Sequence, residues 1–164
     1  MEFRPMRRKR QELTNNECEE ILLKSTAGVL SVLGDEGYPY GVPISYVFAE
    51  GKLFFHSAVA GHKIDAISKY EKCSFTIIEQ DEIHPDEYTT YFRSVIAFGR
   101  IRKLESMEDI IHGLKLLGEK YNPGDHLGLQ HEIDKSLSHV AVLSMEIDHL
   151  SGKEAIELIR KKAN

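Results

Sequence analysis

Apolar and polar residues alternate through much of the chain, and this period of two residues predicts β-strands. The strands that it predicts span residues 27–33, 38–48, 52–57, 73–77, 89–104 and 140–147. Gly99 interrupts the longest of them, which indicates a bulge or a sharp bend of the kind that barrel corners need. Residues 79–88 are acidic and contain a proline, so they predict an exposed loop.

A period of three to four residues predicts helices between these strands. The helices begin near residues 14, 61, 106 and 151. The first and the last start with the spacing of a capping box, Thr14 with Glu17 and Ser151 with Glu154, so residues 151–164 are expected to form a C-terminal helix. The mixed stretch 125–139 has room for one further short helix.

About six mainly antiparallel strands, joined mostly by tight turns and flanked by helices, predict an α+β fold built on a β-barrel. The length of 164 residues suits a single domain over residues 1–164, and no linker or repeat divides it. Glycine-rich signatures of Rossmann and P-loop sites are absent. Residues 1–12 are basic and lack periodicity, which predicts an arm that is either solvated or reaches an anionic ligand or a partner subunit.

Composition narrows the class of protein. The net charge of -5 argues against a general binder of nucleic acid or of membrane surfaces. Cys18 and Cys73 are too far apart in sequence for a zinc ribbon or a redox pair, and two lone thiols are typical of a reducing compartment. No apolar signal or spanning segment is visible, so we expect a cytoplasmic protein without a membrane partner.

The histidines do not predict a metal site. The nearest approach to a zinc-protease helix starts at His131, but Lys135 stands where that motif needs its second histidine. We therefore expect no bound metal.

The stretch from Phe54 to Lys63 carries the candidate chemistry, because it leaves a strand, crosses small residues and enters a helix. The N-terminus of a helix presents free N–H groups and a partial positive charge, which suit a phosphate. Gly61 permits close backbone approach, Lys63 adds a charge and Ser57 adds a hydroxyl donor. A helix that opens with a purely structural lysine is the alternative.

Two other residues near this stretch are informative. Pro43 lies inside a predicted strand and cannot donate to a neighbour, so that strand lies at an edge or a gap of the sheet. An edge leaves backbone groups free to meet a planar ligand, although an ordinary edge strand is the alternative. His56 closes the strand beside the phosphate candidate, either as a packed histidine or as a donor to an anion or a substrate.

The chain resembles the pyridoxamine 5′-phosphate oxidase-like flavoproteins, and among them the subgroup related to nitroimidazole-resistance reductases. The blocks that carry the resemblance are Pro43 to Tyr46, His56 to Ala58, Gly61 to Lys63 and Tyr91 to Arg100, within about residues 7–155. The resemblance implies an FMN-binding split β-barrel with peripheral helices. It also implies a homodimer that holds the flavin at its interface.

The resemblance further implies which residues contact FMN. Val42, Pro43, Ile44 and Ser45 would run along the isoalloxazine ring. The ribityl phosphate and the nearby ring edge would lie among His56, Ser57, Ala58, Gly61, His62 and Lys63, with His56 as the catalytic candidate. Ser94 would reach the flavin of the facing subunit.

The activity that fits this resemblance is reduction of a small aromatic or nitro compound, with a reduced nicotinamide as electron donor. A module of the same fold that binds flavin or haem without turnover is the alternative, as is a structural dimer without flavin. The chain has no Trp, and no Arg stands beside Lys63, which argues against pyridoxamine phosphate as the substrate. Substrate choice is expected to depend on residues 79–90 and 122–139.

Overall fold

Seven antiparallel strands form one curled sheet in the computed structural model, which describes residues 2–162. The strands are β1 (Ala27–Leu33), β2 (Pro39–Ser45), β3 (Val47–Ala49), β4 (Lys52–Ala58), β5 (Lys72–His84), β6 (Thr89–Lys103) and β7 (Val140–Glu154). Their order in the sheet is β2-β1-β5-β6-β7-β4-β3. The helices are α1 (Asn15–Lys24), α2 (His62–Lys69), α3 (Met107–Tyr121), α4 (His126–Ser136) and α5 (Ile156–Lys162). The α+β split-barrel prediction is confirmed, with one strand more than the sequence pattern indicated.

Tyr46 explains how the sheet curls. It alone separates β2 from β3, and these two strands form the opposite edges of the sheet. The two edges therefore approach each other at this residue, and the sheet becomes an open barrel around a buried apolar core. The core includes Leu30, Tyr46, Phe55, Phe75, Val95, Ala97, Leu143 and Met145.

The prediction of one continuous strand over residues 38–48 is wrong. The chain leaves the sheet at Tyr46, whose backbone N–H donates to the Tyr121 hydroxyl at 3.0 Å instead of to a strand. The Tyr46 hydroxyl donates to the Leu22 carbonyl oxygen at 2.6 Å, so the whole side chain is buried under α1. The apolar period continues through this break, which is why alternation alone did not reveal it.

The loop predicted over residues 79–88 is also wrong. β5 continues to His84 and pairs with β6 as far as Thr89, so only Pro85–Glu87 form the turn. Many of these residues are exposed and polar, because the hairpin extends beyond the core. Its ladder depends on backbone pairing, which a hydrophobic pattern does not report.

The helix predicted to open at Ser151 is wrong in its start. Residues 151–154 belong to β7 and pair with β6, where Glu154 lies opposite Arg93. The helix α5 begins only at Ile156. The capping-box spacing at residues 151–154 is therefore coincidental, because tertiary pairing with a long neighbouring strand outweighs a local helix signal.

Other local signals are confirmed. Glu17 N donates to Thr14 Oγ1 at 3.3 Å, and Thr14 N donates to Glu17 Oε2 at 2.9 Å, so α1 begins with the expected capping box. The register of β6 against β7 shifts at Gly99, which is the expected bulge. A Cβ at Gly99 would lie 1.9 Å from the Glu146 carbonyl oxygen, so the close approach of the strands requires glycine.

The basic arm packs on the sheet at both of its described ends, and most of its residues are exposed. The Phe3 ring stacks on the His149 ring with 4.5 Å between their centroids. Gln11 is buried, and its Nε2 donates to the Glu154 carbonyl oxygen at 3.0 Å. The arginines between these anchors remain exposed.

Two further observations bear on the environment of the protein. Cys18 and Cys73 are both free, and burial raises the pKa of Cys18 to about 11 and that of Cys73 to about 12. No helix within residues 2–162 is long and apolar enough to cross a membrane.

Candidate functional site

A cavity of about 410 Å³ lies between strand β2 and the segment that joins β4 to α2. Of the residues that the sequence nominated, it brings together Val42, His56, Ser57, Ala58, Gly61, His62 and Lys63. It adds Tyr40, Ala60 and Ile64, which carry no chemical signature in the sequence. Strand β2 and the segment from β4 to α2 thus contribute to one site, although β2 and β4 are not neighbours in the sheet.

The geometry of Gly61 shapes the floor of this cavity. Its φ of +123° lies in a region that other residues rarely adopt, and no atom lies within 4 Å of the place where a Cβ would be. Gly61 is the N-cap of α2 and supplies no side-chain cap. The N–H groups of His62, Lys63 and Ile64 in the first turn therefore have no intrahelical acceptor, and they lie beside the cavity.

Lys63 adds a full positive charge to these backbone donors. The side chain is half-buried, and burial lowers the pKa of its ammonium group. Among residues 2–162, no carboxylate lies within 4.0 Å of its Nζ. A partly desolvated cation without a counter-ion is stabilised by an incoming anion, so the cavity is electrostatically suited to a phosphate.

The His62 side chain is engaged elsewhere. Its ring stacks on Tyr40 with 4.1 Å between the centroids, and its Nε2 lies 3.4 Å from the Asp35 backbone nitrogen. Lys69 Nζ also reaches Asp35 Oδ1 at 3.3 Å. These contacts tie α2 to the β1–β2 turn, so His62 can serve the cavity through its backbone N–H.

Four nominated residues do not line this cavity. Ile44 packs against the barrel core, and Ser45 lies at the end of β2 beside a second cavity. Pro43 lies on the edge strand, as expected, opposite Val29 on the outer face of the sheet. Ser94 also faces outward, because the next residue of β6, Val95, is fully buried.

The second cavity, of about 550 Å³, lies between α3, α4 and the ends of β2 and β4. His56 lines both cavities, and its side chain is exposed between them. Most of the wall comes from residues 114–136, which overlap the stretch 122–139 on which substrate choice is expected to depend, whereas no residue of 79–90 lines this cavity. Within residues 2–162, no group of three or more His, Cys, Asp or Glu side chains could hold a metal ion.

Tyr121 and Lys120 were missed by the sequence reasoning. The Tyr121 hydroxyl accepts from Tyr46 N at 3.0 Å, lies 2.8 Å from the Tyr46 carbonyl oxygen and also contacts the Thr26 carbonyl oxygen. Lys120 Nζ donates to the Ser25 carbonyl oxygen and lies 4.1 Å from the centre of the Tyr46 ring. Tyr121 and Lys120 together hold the chain at Tyr46, where the two edges of the barrel meet. No local sequence pattern in α3 predicts this role.

A comparison with family models gives one match, described as pyridoxamine 5′-phosphate oxidase, over residues 14–154. No curated protein has a sequence that matches the chain.

Several solved structures share the fold. A putative 5-nitroimidazole antibiotic resistance protein from Bacteroides thetaiotaomicron is 21% identical with a TM-score of 0.74, covering 87% of this chain and 86% of its own. The flavocytochrome Anf3 from Azotobacter vinelandii is 18% identical with a TM-score of 0.80, covering 92% and 72%. An FAD-binding protein from Mesorhizobium loti is 24% identical with a TM-score of 0.60, covering 88% and 97%. At these identities the likeness concerns the fold.

Proposed function

The chain belongs to the pyridoxamine 5′-phosphate oxidase family, and on this premise we propose that it is a flavoprotein that binds FMN between β2 and the start of α2. The observation that carries the proposal is Lys63, a half-buried cation without a carboxylate partner among residues 2–162, beside the uncapped N-terminus of α2. A phosphate there would meet both a full charge and several N–H donors.

The choice of FMN over FAD rests on the size and charge of this cavity. One lysine and one helix terminus suit a single terminal monophosphate. We expect the first turn of α2 to bind the terminal phosphate of FMN, so that the adenine half of FAD would add little affinity. The FAD-binding protein from Mesorhizobium loti makes FAD the competing ligand that an experiment has to exclude.

The outer face of the sheet supports the homodimer of this proposal as a contact surface between two copies. A row of outward residues crosses five strands without a charge, namely Pro43, Val29, Thr76, Ile96 and Ser151. Val29 is 37% exposed, and Ile78 near the same row is 70% exposed. Ser94 lies on this face, so a second copy packed here would cover Ser94 in the contact.

Light scattering tests the dimer. We expect twice the monomer mass at micromolar concentration, and Ile96→Asp should shift the protein toward monomer because it buries a charge in the contact. Asp81→Asn, an exposed change at the hairpin, serves as the control. A flavin-loaded wild-type monomer would contradict the dimer.

Bound FMN would take a hydride from a reduced nicotinamide and pass the electrons to a small aromatic or nitro compound. His56 is the catalytic residue of this proposal, because it lies between the FMN cavity and the second cavity. His56→Gln should lower turnover by about 100-fold or more while FMN remains bound. His126→Gln, on an 80% exposed side chain, should leave turnover unchanged.

A cytoplasmic location is part of the proposal. Both thiols are free in the structure, as is typical of proteins in a reducing compartment. Fractionation of cells that express the tagged chain should place it with cytoplasmic markers, and recovery from a secreted fraction would contradict this.

The experiment that tests the proposed function is a visible spectrum of the freshly purified protein followed by titration with FMN and FAD. We expect flavin absorbance, about one FMN per chain, and FAD binding no tighter than FMN. A Soret band would identify the haem-binding alternative. A colourless protein without FMN affinity would overturn the proposal.

A further inference from the structure

The cavity between α3 and α4 differs from the proposed FMN cavity in its lining. Its apolar wall consists of Leu114, Leu117, Leu129, Ile133 and Val140. At about 550 Å³ it falls in the size range of small-molecule sites, which are mostly apolar with a few polar groups. Asn122 and Asp125, at the α3–α4 turn, line it and are exposed.

The charges of this lining are negative. Asp125 and Glu132 both line the cavity, and neither Lys nor Arg does so. Asp125 Oδ1 accepts from Gly128 N at 3.0 Å and so caps α4, and the side chain pairs with no Lys or Arg among residues 2–162. Glu132 Oε2 lies 3.9 Å from Lys135 Nζ in an exposed pair, which neutralises it only weakly. An anionic ligand would therefore be disfavoured here, in contrast to the cavity at Lys63.

Few polar groups line the cavity where it meets the sheet. Ser45 and His56 lie at the ends of β2 and β4, and the Tyr121 hydroxyl is already engaged with the Tyr46 backbone. A ligand that fills this cavity must bury mostly apolar surface and find its polar contacts at the two ends. A flat aromatic ring with one polar or cationic substituent satisfies both conditions.

We propose that the α3–α4 cavity binds a small neutral or cationic aromatic compound and that one end of this compound contacts His56. Its status as the substrate site rests on the proposed function, since His56 is shared with the FMN cavity. The binding itself depends only on the residues of this cavity. Phosphorylated and carboxylated compounds bind there more weakly, because Asp125 and Glu132 repel them.

Equilibrium dialysis with three probes of equal ring size tests the proposal: naphthylmethylamine, naphthylmethanol and naphthoate. We expect the amine and the alcohol to bind, and the amine to bind about 10-fold or more tightly than naphthoate, since two exposed carboxylates attract one and repel the other. Replacing both, with Asp125→Asn and Glu132→Gln, should reduce this ratio to about 3-fold or less. Asn keeps the helix cap at residue 125, so the fold should not change.

A second experiment fills the cavity with a larger side chain. Ser136 lines the cavity and bonds only to the Glu132 carbonyl oxygen of its own helix, so Ser136→Phe should occupy the ligand volume. The amine should then bind about 10-fold more weakly, whereas Ser136→Ala should bind it as the wild type does. Melting curves of each variant show which are folded, and the charge variants decide the matter if Ser136→Phe is not.

Three outcomes would overturn the proposal: naphthoate binding as tightly as the amine, an amine preference that survives the double charge variant, or equal binding by folded Ser136→Phe and Ser136→Ala. Each titration is run with and without FMN. Probe binding without any FMN affinity would overturn the proposed function and leave the cavity assignment standing. FMN binding without probe binding would overturn the cavity assignment and leave the proposed function standing.

Discussion

Lys63 and Glu154 are both charged side chains withdrawn from water, but they lie in very different surroundings. Glu154, at the end of β7, has a side chain only 5% exposed, and Arg93 donates to its Oε2 at 2.8 and 3.1 Å while Lys162 donates to its Oε1 at 2.8 Å. Lys63 is half-buried beside a cavity and has no carboxylate within 4.0 Å among residues 2–162. Glu154 has ion-pair partners within the chain, whereas Lys63 has none among residues 2–162.

This difference predicts a structural role for Glu154 and a ligand-binding role for Lys63. The Glu154 cluster joins β6, β7 and α5, so its charges hold elements together. Among residues 2–162, Lys63 makes no ion pair, and its surroundings are a glycine N-cap, free N–H groups and a cavity. The comparison predicts that changes at Glu154 alter stability, whereas changes at Lys63 alter ligand affinity.

The largest expected effect is at Glu154. Glu154→Ala leaves Arg93 without its buried partner, so the free energy of unfolding should fall by about 3–5 kcal/mol in urea denaturation at fixed protein concentration. FMN affinity of the folded fraction should stay within about 3-fold of the wild type.

Glu146→Ala on the same strand is the matched control. Glu146 is 54% exposed and pairs with Lys52 at 3.6 Å, so its loss should cost less than about 1 kcal/mol. Equal losses of unfolding free energy in Glu146→Ala and Glu154→Ala would contradict the structural role of Glu154.

An intermediate effect is expected at Gly61. Gly61→Ala forces a Cβ onto a residue with φ of +123°, which should cost about 1–3 kcal/mol of stability by strain alone. Because the strain lies at the start of α2, FMN binding should weaken as well. Gly124→Ala, at φ of +79° and with equally open space, should lose similar stability and bind FMN normally. If both variants bind FMN as the wild type does, the α2 terminus does not hold the phosphate.

The smallest effect concerns pH and Glu17. The hydrogen bond from Thr14 N and the contact with Lys162 lower the pKa of Glu17 from 4.5 to about 2. A carboxyl whose folded pKa is depressed contributes stability that is present above its unfolded pKa and is lost as the pH falls toward about 2. Since the side chain is 39% exposed, we expect no more than about 1 kcal/mol.

Urea titrations of Glu17→Gln at several pH values check this. Gln keeps the capping box, so the stability difference from the wild type should be present near neutral pH and vanish near pH 2. Glu19→Gln on the same helix should differ little from the wild type at either pH. A difference that does not depend on pH would assign the role of Glu17 to packing instead of charge.

The local parts of the fold were predictable because their signals are local. The Thr14 capping box, the edge position of Pro43 and the bulge at Gly99 each follow from one residue's own chemistry, and the structure confirms them. The start of α2 at Gly61 belongs to the same class. The cluster of nominated residues around one cavity could be expected for this reason, since most of them lie on a single turn from β4 into α2.

The parts that failed depend on residues distant in sequence. The break at Tyr46 is set by hydrogen bonds to Tyr121 and Leu22, and the last residues of β7 are held by Arg93. The extended β5–β6 hairpin is an exposed ladder that buries little apolar surface, so it has no hydrophobic period. The α3–α4 cavity likewise exists only because these two helices pack beside β4, and no motif marks it.

The most direct test of the central claim is calorimetric binding of FMN and riboflavin to Lys63→Ala, with Lys69→Ala as the control on the same helix. Lys69 is 71% exposed and contacts Asp35, so its loss should leave both ligands unaffected. Loss of a charged hydrogen bond predicts that Lys63→Ala weakens FMN binding by about 10- to 150-fold. Riboflavin lacks the phosphate, and its affinity should change by less than about 2-fold. Equal losses for the two ligands, or no loss for either, would contradict the assignment of the phosphate to Lys63 and the α2 terminus.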